Sequence, residues 1–355
     1  MVHRSFSRAA FALSAFCSTA LLALSAAQAA DFSAEYVFGD SLSDNGNLAE
    51  LLRIGNFPNP PSFHDSFTNG PVAVAGLAQH LGLSLTPSLW VTGFQDPLNL
   101  FGGASFAPGT NYAVAGALSA NLSPVGINLV SQIGAYSAFT SFHADPDALY
   151  VIMIGGNDVR DAALDRTGVG AVTAGVGAEL AAISTLSGED AKHFLVVNVP
   201  NVGIIPEFAQ DHPTLAASAT AYSQLYNSEL ANGFASLDPT LGAGSTLQAF
   251  DLYDFNANIL ANAASDGFTD TTDRCYTGTP FTATTSSACG PDAENIGGFV
   301  YWDDIHPTEK VQALWAAGFT SAVPEPSTWA MLLVGFGSMG FAGYRRGARA
   351  LAARA

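Results

Sequence analysis

Positive charge is scarce in this chain. Only 12 of its 355 residues are Lys or Arg, against 30 Asp or Glu, and the formal net charge is -18. Such a field repels nucleic acid and anionic lipid headgroups, which excludes a nucleic-acid-binding function. Charged residues of both signs make up only 12% of the chain and hydrophobic residues 48%, which is too apolar for a disordered protein. The length fits one compact domain with terminal appendages.

The N-terminal segment has the pattern of a secretory signal peptide. Arg4 and Arg8 precede an apolar run over residues 11–27, and the small-residue pattern Ala-Gln-Ala occupies 27–29. We therefore expect signal peptidase to cut after Ala29 and the rest of the chain to be exported.

The C-terminal segment has three parts. Val-Pro-Glu-Pro at 323–326 precedes an apolar stretch over 329–344, and four arginines follow. This order resembles the PEP-CTERM sorting signal of Gram-negative bacteria, in which an exosortase processes the Pro-Glu-Pro site. About 16 residues are slightly few for a spanning helix, and the arginines favour a cytoplasmic C-terminus. We expect the tail to attach the protein to the membrane only transiently; an ordinary tail anchor is the alternative.

Cysteine is scarce as well, with three residues. Cys17 lies in the signal peptide and is removed with it. Cys275 and Cys289 flank a Thr/Ser/Gly-rich stretch, and in an oxidising compartment we expect them to form a disulfide. Closing a loop of ~15 residues contributes roughly 3 kcal/mol in the chain-entropy model. A zinc site is the alternative, but no Cys-x-x-Cys or nearby His-Cys pair occurs, and we predict no metal and no cofactor.

Between the two ends, short apolar runs alternate with longer Ala-rich amphipathic stretches. This alternation is typical of strands and crossover helices in a parallel sheet, and we find no repeat and no second domain. The predicted strands are Tyr36–Phe38, Asn111–Ala115, Leu149–Ile154 and Phe194–Val199, and the predicted helices lie near 127–142, 160–187, 208–236 and 307–321.

Polar residues with catalytic potential follow these strands. Ser41 comes directly after the first one, in Phe-Gly-Asp-Ser-Leu, and a serine exposed at a sheet edge is a nucleophile if a base reaches it. Late in the chain, His306 has Asp303 three residues before it, a spacing that allows the carboxylate to fold back onto one imidazole nitrogen. Acyl transfer also needs donors for an oxyanion, and the candidates are the Gly116 N–H, the Asn157 amide and the Ser41 N–H.

Each of these residues also has a purely structural interpretation. A serine after Gly-Asp is commonly a helix N-cap, Asn157 can cap the following helix, and Gly116 can serve close packing. Asp304 competes with Asp303 for the histidine, although its spacing directs it away. Asp40 and Asp44 are interpreted as turn and capping residues rather than as metal ligands.

The four segments together resemble the conserved blocks of the GDSL, or SGNH, hydrolase family, from about residue 35 to residue 320. The resemblance implies a three-layer α/β/α sandwich with a mostly parallel, flavodoxin-like sheet. It assigns the nucleophile to Ser41, the base to His306 with Asp303, and the oxyanion hole to Ser41, Gly116 and Asn157. The chain then divides into a signal peptide (1–29), a hydrolase domain (30–322) and a sorting tail (323–355). No Gly-x-Ser-x-Gly elbow of the larger α/β-hydrolase fold occurs.

The expected activity is that of an exported serine esterase or lipase. Its substrate is either a lipid or general carboxylic ester, or the acetyl ester of an exopolysaccharide, and the sorting tail favours a cell-surface or extracellular location after processing. A non-catalytic surface-displayed binding protein is the alternative of another class. The Pro/Gly/Phe-rich region 56–108 can line an acyl groove or simply fill loop packing; its aromatic residues are Phe57, Phe63, Phe67, Trp90, Phe94, Phe101 and Phe106.

Overall fold

A computed structural model of the chain describes residues 32–52, 54, 57–58, 62–88, 109–120, 127–290, 292–323 and 338. The predicted signal peptide (1–29) and, apart from residue 338, the predicted tail from 324 onward lie outside the described residues, as do Trp90, Phe94, Phe101 and Phe106.

Four short strands form a parallel sheet. They are β1 (Glu35–Gly39), β2 (Leu149–Met153), β3 (His193–Val197) and β4 (Thr246–Phe250), hydrogen-bonded in the order β1-β2-β3-β4. All five residues of β2 are buried apolar residues, as expected of a strand covered on both faces. The sequence did not predict β4, because most of its side chains are exposed or half-buried and its sequence therefore has no apolar run.

The predicted strand Asn111–Ala115 is not a regular strand. Its backbone runs beside β1, with Tyr112 N donating to Val37 O (2.7 Å), but only isolated bridges form. The pairing with β1 is interrupted because Gly39 N, at the end of β1, donates to the Gln132 side chain (2.9 Å) instead of to this segment. The Asn47 side chain donates to the carbonyls of Asn111 and Ala113 at 2.9 and 2.8 Å. With this segment counted as a strand, the order along the sheet is 2-1-3-4-5, the flavodoxin-like order that was expected.

Helices cover both faces of the sheet. Their bounds are α1 (Asn47–Leu52), α2 (Ala73–His80), α3 (Leu129–Phe139), α4 (Gly156–Ala163), α5 (Val169–Gly188), α6 (Ala216–Leu237), α7 (Leu252–Ala261) and α8 (Glu309–Ala322). The helix expected over 160–187 divides into α4 and α5, because Asp165 (φ 59°) and Gly168 (φ 71°) are left-handed between them. The helix expected over 208–236 begins at Ala216, after a π-helical turn at Glu207–Asp211.

Ring contacts show that two helices lie on opposite faces. Tyr136 of α3 contacts Tyr36 on β1 (4.9 Å between ring centroids) and Tyr150 on β2 (5.9 Å), which are paired in register. Phe250 of β4 points to the other face and contacts Phe319 of α8 at 4.9 Å. The architecture is therefore the predicted three-layer α/β/α sandwich.

A smaller disulfide-linked region follows α7. β5 (Asp270–Arg274) pairs in parallel with β8 (Phe299–Tyr301), and β6 (Tyr276–Thr277) pairs antiparallel with β7 (Thr284–Thr285). Cys275 and Cys289 form a disulfide with their Cα atoms 5.1 Å apart, as the sequence predicted.

Candidate active site

The turn after β1 places Ser41 at the carboxyl edge of the sheet. The Asp40 carbonyl accepts hydrogen bonds from Ser43 N (3.1 Å) and Asp44 N (2.9 Å), and the Asp40 carboxylate accepts one from Leu42 N (3.0 Å). Glycine is required at position 39, because a Cβ there would lie 2.5 Å from the carbonyl oxygen of Met153. The turn leaves Ser41 only 8% exposed.

His306 lies between Ser41 and Asp303. Its Nε2 is 2.7 Å from Ser41 Oγ, and its Nδ1 is 2.9 Å from both carboxylate oxygens of Asp303. The orientation of Asp303 is set locally, since its Oδ1 also accepts from Ile305 N (2.9 Å) and His306 N (2.7 Å). Two residues separated by 265 positions in the chain thus meet at hydrogen-bond distance.

The two neighbouring aspartates have different partners. Burial disfavours the charge of Asp303, but the charge and hydrogen bonds of His306 outweigh it and hold the pKa of Asp303 below its ordinary value. Asp304 instead forms an ion pair with Arg274, which also binds Asp211 at 2.7 Å. The contact geometry therefore favours Asp303 over Asp304 as the partner of the histidine.

The two further oxyanion candidates lie on neighbouring segments. Asn157 stands near the N-terminus of α4 and donates from Nδ2 to the Ala117 carbonyl at 3.0 Å. Gly116 has φ +79°, and its loop is held to the serine turn by a 2.8 Å bond from Ala115 N to Asp44 Oδ2. Among the residues that the structure describes, the N–H groups of Ser41 and Gly116 have no hydrogen-bond partner. Two donors are therefore open to a ligand.

Asp44 organises the serine turn. One carboxylate oxygen accepts from Gly46 N (2.9 Å) and Asn47 N (2.7 Å), and the other from Leu48 N (3.1 Å) and Ala115 N (2.8 Å). Burial raises its pKa to about 6 despite these bonds. Within the described residues, no group of three or more His, Cys, Asp or Glu side chains is placed to hold a metal ion.

Gln132 is a site-supporting residue that the sequence analysis missed. From α3, its amide accepts from Gly39 N (2.9 Å) and donates to Gly39 O (2.7 Å), which holds the end of β1 two residues before Ser41. The signal available in the sequence is a lone glutamine in a helix without charged residues; the side chain is fully buried.

An apolar cleft begins at Ser41. The empty space in and around it, including open solvent at its mouth, is about 750 Å³. Its polar lining residues are Asp40, Ser41, Asn157, Arg160, Asn201 and Asn256. Its apolar walls are formed by Val202, Ile204, Ile205, Ile259, Leu260, Val300, Ile305, Val311 and Trp315.

The aromatic region 56–108 contributes on another side of the histidine. The Phe67 ring is 4.9 Å from the His306 ring and contacts Phe57 at 5.9 Å, whereas Phe63 is 38% exposed. The cleft walls that the structure describes come from other parts of the chain.

Comparison with known proteins gives two family matches. A model described as GDSL-like Lipase/Acylhydrolase matches residues 36–319, and one described as PEP-CTERM protein-sorting motif matches residues 322–346. A GDSL lipase of Tanacetum cinerariifolium is 26% identical over 83% of this chain and 85% of its own length. A GDSL esterase/lipase, LIP-4, of Arabidopsis thaliana is 28% identical over 79% of this chain and 83% of its own length. A phosphatidylcholine-sterol acyltransferase of Aeromonas hydrophila is 28% identical over 84% of this chain and 92% of its own length.

Proposed function

Because the chain belongs to the GDSL-like lipase/acylhydrolase family and is a carboxylic ester hydrolase, we propose that it cleaves esters of apolar acyl chains through an acyl-enzyme on Ser41. The PEP-CTERM motif indicates export with membrane-associated sorting. The observation that carries the proposal is the apolar cleft that opens beside a serine hydrogen-bonded to His306.

In the proposed first step, Ser41 Oγ bonds to the ester carbonyl carbon while His306 Nε2 takes the proton of the Ser41 hydroxyl. The intermediate then collapses, the bond to the alcohol oxygen breaks, and His306 returns the proton to the leaving alcohol. In the second step, water attacks the acyl carbon while His306 Nε2 takes a proton from the water. The bond to Ser41 Oγ then breaks, the carboxylic acid leaves, and His306 returns the proton to Ser41. Asp303 holds the Nδ1 proton, so Nε2 is the free acceptor; the 2.9 Å contacts support this role.

The negative charge on the carbonyl oxygen needs donors in each step. We assign these to Ser41 N, Gly116 N and Asn157 Nδ2. The unpartnered N–H groups support the first two assignments, and the position of Asn157 on the cleft wall supports the third. Only one Asn157 amide proton is used by Ala117, so a second remains for the oxyanion.

The cleft favours a lipid or other long-chain ester. An acetyl group would leave the walls formed by Ile259, Leu260 and Trp315 unfilled, whereas an alkyl chain would bury itself against them. The relative named phosphatidylcholine-sterol acyltransferase also supports a lipid acyl donor. Exopolysaccharide acetyl esterase activity is the second candidate, favoured by the sorting motif, which directs the enzyme toward the envelope. A non-catalytic binding role has no comparable support.

A chain-length series tests the proposal. The p-nitrophenyl esters of acetate, butyrate, octanoate and palmitate are compared with an acetylated polysaccharide, and we expect a preference for the longer esters. Ile204→Trp, at a cleft residue that is 38% exposed, should lower kcat/KM for octanoate more than for acetate. The matched control is Val169→Trp on α5, 48% exposed and outside the cleft lining, which should change neither.

Ser41 itself is tested by labelling. A fluorophosphonate should modify Ser41 in the wild type, and Ser41→Ala should abolish both labelling and hydrolysis. Labelling of another serine would refute the nucleophile, and preference for the acetylated polysaccharide would replace the long-chain substrate by the second candidate.

Processing at both ends is the remaining part of the proposal. We propose that signal peptidase removes 1–29 and that exosortase cuts near Glu325, releasing the domain over 30–322 from its transient membrane attachment. Intact mass of the protein recovered from culture checks both cuts. A mature C-terminus at Ala355 would show instead that the tail is a permanent anchor.

A further inference from the structure

Four buried side chains form a hydrogen-bonded chain behind the candidate oxyanion site. Asp158 Oδ2 is 3.1 Å from Ser119 Oγ, which is 3.1 Å from the Tyr226 hydroxyl, which is 2.8 Å from Glu179 Oε2. Their exposures are 1% for Asp158 and 0% for the other three. The chain joins α4, α5 and α6 to the loop after Gly116.

This chain supports the two segments that carry oxyanion donors. Ser119 N donates to Asp158 Oδ2 at 2.9 Å, and Asn157 Nδ2 donates to Ala117 O, so the Gly116 loop is attached to α4 at two points. The Tyr226 ring packs against Gly155, where a Cβ would lie 2.5 Å from the ring. A shift of Tyr226 would therefore be transmitted to the turn that begins α4.

Three oxygen–oxygen contacts in the chain need three hydrogens, but the two hydroxyls supply only two. With both carboxyls ionised, Ser119 donates to Asp158 and Tyr226 donates to Glu179, and the contact between the two hydroxyls has no proton. The third hydrogen must come from a carboxylic acid. Asp158 Oδ2 already accepts the Ser119 N–H, which disfavours a proton on that oxygen and leaves Glu179 as the donor.

We propose that Glu179 is a positioning residue that keeps its proton at neutral pH and donates it to Tyr226, which donates to Ser119, which donates to an ionised Asp158. One proton then satisfies all three contacts and leaves a single buried charge. The functional part of this inference rests on the proposed ester hydrolysis, since it makes the chain a support for Gly116 and Asn157.

The electrostatics agree with this order of protonation. Burial, with the charge of Asp158, raises the pKa of Glu179 to about 8, and burial raises the pKa of Asp158 to about 7. The groups that face the pair are Tyr226 from α6, whose pKa burial raises well above its ordinary value, and Asp40 from the serine turn. α3, which packs against α5, carries no charged residue.

Substitutions at Glu179 test the proton directly. We expect the kcat of the wild type to fall as pH rises through about 8, where Glu179 loses its proton. Glu179→Gln keeps an N–H donor toward Tyr226 at every pH, so it should retain the wild-type kcat and lack this fall. Glu179→Leu and Tyr226→Phe break the chain and should lower kcat by about tenfold or more with little change in KM, because the oxyanion donors are displaced. Glu229→Gln is the matched control, since Glu229 on α6 accepts a hydrogen bond from Thr173 (3.2 Å) and is not a member of the buried chain.

Infrared spectroscopy gives a readout that does not depend on activity. At pH 7 the wild type, Ser41→Ala and Glu229→Gln should each show a buried carboxylic-acid C=O band that Glu179→Gln lacks. Glu35, which is also buried and whose pKa burial raises well above its ordinary value, contributes its own band equally to all four proteins, so the band of Glu179 is read from the difference spectrum. If Glu179→Gln loses as much kcat as a correctly folded Glu179→Leu, or if the band is absent from the wild type, the inference is wrong. If Glu179→Leu does not fold, the pH dependence of kcat in Glu179→Gln and the infrared band still test whether Glu179 keeps its proton. An inactive wild type with the band present would refute the ester hydrolase function but not the shared proton.

Discussion

Asp303→Asn is the most informative substitution in the candidate triad. The backbone N–H groups of Ile305 and His306 both point at Asp303 Oδ1, at 2.9 and 2.7 Å, so the amide oxygen of an asparagine must take that position. Its NH2 group then occupies the Oδ2 position, 2.9 Å from His306 Nδ1. The amide oxygen at the Oδ1 position is also 2.9 Å from Nδ1 but already accepts two backbone N–H groups, so the NH2 group opposite Nδ1 favours the tautomer with its proton on Nε2. In that tautomer Nε2 cannot accept the proton of Ser41.

The expected loss is roughly 10⁴-fold in kcat, as for other triads in which an amide imposes the wrong tautomer. Asp304→Asn is a matched control, because it makes the same change one residue away, where the carboxylate faces Arg274 instead. Arg274 keeps Asp211, and Asp304 is 32% exposed, so this variant should lose at most about 1 kcal/mol of stability and keep its activity.

The assay is hydrolysis of p-nitrophenyl butyrate, with kcat and KM measured separately and thermal unfolding recorded for both variants. The rate of fluorophosphonate labelling should fall in parallel with kcat, because it needs the same activated serine. Equal losses in the two variants, or an active Asp303→Asn enzyme that has folded normally, would refute the role of Asp303.

Three further outcomes are expected. Asn157→Ala should lower kcat by roughly 10²–10³ with little change in KM, and an effect confined to KM would make Asn157 a substrate contact. Replacing both Cys275 and Cys289 by alanine should lower the free energy of unfolding by roughly 3 kcal/mol in urea titrations; no change would show that the loop is held by its other contacts. Stability should fall as pH rises from about 5 to about 8, because buried carboxyls such as Glu179 and Asp158, whose pKa values are raised to about 8 and about 7, keep protons in the folded chain that the unfolded chain has released. Glu179→Gln should flatten this dependence, and an unchanged slope would contradict the shift.

Much of the candidate site could be predicted because its signals are local. Asp303 and His306 are three residues apart, so one turn brings the carboxylate to Nδ1 without help from the rest of the fold. Ser41, Gly116 and Asn157 follow apolar runs, and the carboxyl ends of parallel strands meet at one edge of a sheet. The alternation of runs and helices predicted a parallel sheet with crossover helices, and the resemblance to the GDSL family implied its three layers.

Predictions failed where the local pattern was weak, or where a segment with the composition of a strand does not form one. β4 lies at an edge with mostly exposed side chains, so it lacks the apolar run that marked β2. The segment Asn111–Ala115 has the composition of a strand, but the side chain of Gln132 accepts the Gly39 N–H of β1 that a continued ladder would use (2.9 Å). No periodicity in the segment itself records that competition.

The amino-acid sequence was enough to predict the candidate catalytic side chains, the Asp303–His306 pairing and the class of fold, because these depend on residue chemistry and on contacts within a few positions. The 2.7 Å contact of His306 with Ser41, the walls of the apolar cleft and the buried chain from Asp158 to Glu179 became visible only in the folded structure. Each of these joins residues that are far apart in the chain, and a distance between such residues is set by how the helices and strands between them pack, which no local pattern encodes.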